Sequence, residues 1–127
     1  MINTLSLDVI TDNLKMILRA IEDFQEVQDI ELLNYLGRIT SLQASAIETQ
    51  ASAKHWLLAA SNDELDRQAR ALKDEKIPPS IAKMRADAMV RDWHYIYEKC
   101  ERCSRAISHT IDSVRTKISY LKNQQNG

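Results

Sequence analysis

Apolar residues recur every three or four positions along almost the whole chain, the period of helices that bury one face. Ile10, Leu14, Ile17, Leu18, Ile21 and Phe24 predict a first helix over about 7–24. Gln25 to Asp29 reads as a short connection, with Asp29 placed to cap the next helix. That second helix is predicted over about 30–76, with a main stripe of Leu32, Leu33, Leu36, Ile47, Leu57, Leu58, Leu65 and Leu72. A third is predicted over about 81–123. Its seam is Met89, Trp93, Ile96, Cys100, Cys103, Ile107, Ile111, Val114, Ile118 and Leu121, nearly a heptad pattern with one stutter. Asn123 to Gly127 reads as a frayed tail.

Breakers are scarce. The only prolines, Pro78 and Pro79, are adjacent, and the only glycines are Gly37 and Gly127. The turn is therefore expected at Ile77 to Ser80, with Ser80 as the cap of the third helix. Ser61 to Glu64 has the S-x-x-E form of a capping box and is a possible restart within the second helix. Gly37 costs a helix about 1 kcal/mol relative to alanine and suggests a close approach.

The expected fold is all-α: one domain over 1–127, a long antiparallel helical hairpin plus a shorter N-terminal helix. Helices of this length run to ~60–68 Å, more than the first helix can cover. Self-association into a homo-oligomeric bundle is the expected remedy.

A second stripe on helix two points the same way. Tyr35, Leu42, Thr49 and Trp56 occur at seven-residue steps, with Ala46, Ala53 and Ala60 at nearby angles. Large anchors separated by small residues admit another helix closely, so Tyr35, Leu42 and Trp56 are the expected interface. The simpler alternative is that this face receives the first helix of the same chain.

Polar residues interrupt the main stripe at Thr40, Gln43, Gln50 and Lys54. With the hairpin folded at Pro78, Lys54 is expected level with Arg102, Gln50 with Ala106 and Gln43 with Ser113. Arg105, His109 and Asp112 fall at that height too. These groups either fix helix register or line a pocket for an anionic ligand, where arginine offers phosphate a planar fork of donors. The candidate ligand-binding residues are Gln50, Lys54, Arg102, Arg105 and His109.

Charge and composition narrow the partners. The net charge is −1, against bulk electrostatic binding of nucleic acid. Residues 1–79 carry 8 basic and 13 acidic side chains, and residues 80–127 carry 9 and 5, an asymmetry that suits pairing between the two arms. A track for single-stranded DNA would need Lys99, Arg102, Arg105, Arg115, Lys117 and Lys122 on one side, and they are scattered around the helix. The start, MINTLSLDVITDN, has no basic and apolar leader, and no segment reaches a membrane span, so a cytoplasm is expected. Cys100 and Cys103 form a C-x-x-C on the hydrophobic seam with no second pair, which reads as core and not as a zinc site. No P-loop, nucleophile elbow or H-E-x-x-H occurs. No cofactor is expected.

The run CERCSRAISHTIDSVRTKISYLK (100–122) resembles the C-terminal helix of short all-helical proteins of tailed phages and prophages, and SLQASAIETQASAKHWLLAA (41–60) is similar as well. The resemblance implies a phage origin, a bacterial host cytoplasm and a role in recombination or in disabling host defence, including oligomeric sponges that trap nucleotide signals. Glu98 and Glu101, with Asp63, Glu64 and Asp66, resemble the acidic clusters with which all-α nucleotide pyrophosphohydrolases hold Mg²⁺, but the fuller E-E-x-x-E pattern is missing. The expected function is binding without catalysis, best a nucleotide-like anion between helices or subunits. The alternatives are a protein adaptor or inhibitor acting on a host protein, and a single-stranded-DNA accessory.

Overall fold

A computed structural model describes residues 4–126. Among them every regular element is helical: α1 (Leu7–Asp23), α2 (Leu32–Asp74), α3 (Pro79–Met89) and α4 (Arg91–Asn126), with 3-10 turns at Phe24–Glu26 and Asp29–Glu31. No helix among these residues is long and apolar enough to cross a membrane.

The local signals explain most boundaries. Ser6 caps α1, its hydroxyl accepting from the Val9 N–H at 3.4 Å. α2 ends where Lys76 takes a left-handed φ of 54°, the backbone turn that usually closes a helix. Pro78 is extended and its carbonyl accepts from Ile81 and Ala82, so Pro79 opens α3 and the expected cap, Ser80, lies inside the helix. α4 continues through the expected tail to Asn126, while Gly127 lies outside the described residues.

The possible restart within the second helix does not occur, and α2 passes unbroken through Ser61 to Glu64. Glu64 is turned inward and pairs with Arg67 at 3.0 Å instead of reaching back to a free backbone donor. The predicted third helix is interrupted at Val90, whose φ and ψ are −101° and 7°. Backbone bonds from Val90 N–H to Ala86 and from His94 N–H to Val90 keep the two pieces joined. The interruption turns Val90 inward after Ala82 and Ala86 and leaves Met89, expected in the seam, exposed.

The core lies where α1, α2 and α4 meet. Leu32, Ile39, Ala46 and Ala53 of α2 recur at seven-residue steps and are almost fully buried. They pack with Ile10, Leu14 and Ile17 of α1 and Cys100, Cys103, Ile107, Ile111 and Val114 of α4. Ala46 and Ala53 are small enough to bring backbones close. As α2 advances from Gln43 to Trp56, its partner on the other arm retreats from Ser108 to Trp93. Beyond Trp56 the bundle thins, and the second half of α2 packs on α3 through Ala82 and Ala86.

Candidate functional site

The face of Tyr35, Leu42 and Trp56 is not free. α1 folds back over it, so the simpler alternative holds. The Tyr35 hydroxyl donates to the Ala20 carbonyl at 2.6 Å, and Phe24 stacks on the ring. The Asn13 amide donates to Thr49 Oγ1 at 3.1 Å. Trp56 Nε1 donates to the Leu5 carbonyl at 2.7 Å, and the Leu5 N–H donates to Ser52 Oγ at 3.0 Å. Leu42 is half-buried against the same core. The first helix is shorter than α2, but the stripe ends at Trp56, and the segment from Leu5 to Ala20 reaches that far. Burial pushes the Tyr35 hydroxyl above its ordinary pKa against the pull of Arg38, whose guanidinium sits 5.3 Å from the ring centre.

On the opposite side, α2 and α4 border an open cleft of about 470 Å³ lined by Gln50, Glu101, Ser104, Arg105, Ser108, His109 and Asp112. Three of the five candidate ligand residues, Gln50, Arg105 and His109, therefore share one site. Lys54 and Arg102 are exposed and do not line it, and Arg102 pairs with Glu98 at 4.0 Å. The expected heights are shifted: Gln43 donates to Ser108 Oγ at 3.1 Å, not to the level of Ser113, because the arms are offset around the turn and the break at Val90. Lys54 therefore does not lie opposite Arg102.

The electrostatics of the cleft are mixed. Arg105 pairs with Glu101 at 3.3 Å, and Asp112 stands on the same wall. An anion would compete with these carboxylates for the guanidinium. Ser104 Oγ on the inner wall is buried without a hydrogen-bond partner.

The stronger anomaly is apolar. Leu33, Ile47, Leu58 and Leu65, assigned by periodicity to the main seam of α2, are 53–70% exposed. They run along one side of α2 beside the cleft. At the end of that side Ile30, Leu33, Ile118 and Leu121 line a second cleft of about 600 Å³. This site was missed from sequence. Its signal was present in an apolar surface on α2 too wide for one partner.

Cys100 and Cys103 lie in the core as free thiols, and burial raises both pKa values, Cys100 to about 11. Among the described residues no group of three or more His, Cys, Asp or Glu side chains is placed to hold a metal ion. No family model, curated protein or solved structure matches the chain.

Proposed function

We propose that the protein is a non-catalytic helical docking module. In this reading α2 and the α3–α4 arm form an antiparallel hairpin closed at Pro78-Pro79. α1 fills one side of the hairpin, and the other side receives a helix. The observation that carries the reading is the exposure of Leu33, Ile47, Leu58 and Leu65 along one line of α2. A line of exposed apolar residues of this kind marks an interaction site, and an amphipathic helix lays its apolar face along such a line. A phage protein directed at host defence would use this face to hold a host protein or to assemble.

The test is a photo-crosslinking residue at Ile47, with one at the exposed Arg19 of α1 as control, in cells. Protein adducts through Ile47 and none through Arg19 are expected. Absence of adducts at Ile47 overturns the reading.

A second reading is favoured by the convergence of Gln50, Arg105 and His109: a nucleotide-like anion held in the cleft. It requires the ligand to displace Glu101 from Arg105. Calorimetry against nucleotides and cyclic dinucleotides tests it, and an affinity unchanged in Arg105→Ala sinks it.

A further inference from the structure

We infer that the open face of α2 pairs with the same face of a second copy of this chain, antiparallel, about a two-fold axis at Ala51. This rests on the docking reading above and names its occupant. The exposed positions of the face run from Leu33 to Ala69 in steps of 4, 3, 4, 3, 4, 4, 3, 4, 3 and 4 residues, the same in both directions from Ala51. An antiparallel pair centred there sets three of the four large aliphatic residues against small ones, while Ile47 falls level with His55. Leu33 falls level with Ala69 of the second copy, Leu58 with Ala44 and Leu65 with Gly37. Thr40 falls level with Asn62, polar against polar, and Ala51 meets itself. Alternation of large and small side chains lets two helices approach closely, as in coiled-coil layers.

Charge agrees with this register. Glu48 comes beside His55 of the second copy on the same edge of the helix pair, once on each side of the axis. A parallel pairing in register would instead bring like residues level, Leu58 with Leu58 and Gly37 with Gly37, and lose the alternation.

Gly37 supplies an independent observation. A Cβ built on it meets nothing within 4 Å, so nothing within the chain requires a glycine there. Mid-helix glycine costs about 1 kcal/mol relative to alanine. In the pair, Gly37 sits where Leu65 of the second copy arrives, and the missing side chain makes room for it.

The chain is elongated, which leaves surface on it for an interface. The chain exposes 9222 Å². A compact monomer of 14.6 kDa exposes about 6,900 Å², so this chain carries roughly 2,300 Å² beyond it. A stable interface takes about 800 Å² from each partner.

The experiment uses the full chain. Sedimentation at about 100 μM is expected to give twice the chain mass, and Leu58→Glu is expected to weaken association at least ten-fold with helical content unchanged. Ala51→Cys is expected to form a disulfide-linked dimer on mild oxidation, at least ten-fold faster than Arg19→Cys or the wild-type chain, whose own cysteines are buried. A monomer at that concentration, or equal cross-linking of Ala51→Cys and Arg19→Cys, overturns the pairing. A monomeric wild type that still gives Ile47 adducts with another protein in cells overturns the pairing and leaves the docking reading standing. Absence of adducts overturns both.

Discussion

Trp56 stacks on Trp93, with ring centroids 6.0 Å apart and planes 21° from parallel, while its indole N–H donates to the Leu5 carbonyl at 2.7 Å. One side chain thus joins the N-terminal segment, α2 and α4 at the point where three packed helices thin to two. Substitution there tests the junction directly. Trp56→Ala is expected to cost about 3–5 kcal/mol in urea unfolding, from lost burial and the cavity left behind. Trp56→Phe keeps a ring and loses the hydrogen bond, so about 1 kcal/mol is expected, with more left over if the Leu5 carbonyl finds no water.

Tyr35 makes the matching contact at the other end of α1. Tyr35→Phe removes the 2.6 Å bond to Ala20 and leaves the stacked Phe24 in place. A loss of about 1 kcal/mol is expected in denaturant midpoint, with an unchanged slope. No loss would show that α1 is held by apolar packing alone.

Two backbone positions invite stabilisation. Lys76 holds a positive φ of 54°, which glycine adopts without its penalty, so Lys76→Gly is expected to stabilise by up to about 1 kcal/mol. Gly37 has open space where a Cβ would go, so Gly37→Ala is expected to stabilise by about 0.5–1 kcal/mol at concentrations low enough to dissociate any pair. Urea titrations of both variants check these values, and a Lys76→Gly loss would mean that the lysine side chain contributes more than its backbone costs.

The cysteines give a pH dependence with a definite sign. Cys100 titrates at about 11 in the fold against 9.0 when free, so the unfolded chain loses its proton first. Stability from this thiol is full below pH 9 and is lost as pH rises from about 9 towards 11, by up to roughly 3 kcal/mol. Cys103 shifts in the same direction. Urea midpoints across that window should fall in the native chain and fall less in Cys100→Ala. Alkylation at pH 8 should be slow until urea opens the core. Rapid labelling of the folded chain would contradict the burial of both thiols.

The outer limits of the helices, though not the break at Val90, were legible to within a few residues because they depend on local chemistry. The Pro78-Pro79 pair and the scarcity of other interior breakers act on the backbone where they stand. The seam of α4 was legible for a related reason: it has one apolar line and a polar remainder, so period and burial coincide. The convergence of Gln50, Arg105 and His109 was legible because a coarse level reckoned from the prolines already places them near one another. Lys54 and Arg102 fell outside because that level is set by offset and by the break at Val90, which no single residue signals.

α2 marks the boundary between the two kinds of information. By itself its sequence determined a long helix with apolar residues on more than one side. Only the tertiary structure decided which side became the core. α1 and α4 closed over the line of Leu32, Ile39, Ala46 and Ala53 and over Tyr35 beside it, with Ala46 and Ala53 letting the backbones approach. Leu33, Ile47, Leu58 and Leu65, of the same size as Leu32 and Ile39, were left facing outward. Hydrophobicity ranks residues one at a time, whereas packing rewards the fit between surfaces, and that fit exists only once the other helices are in place.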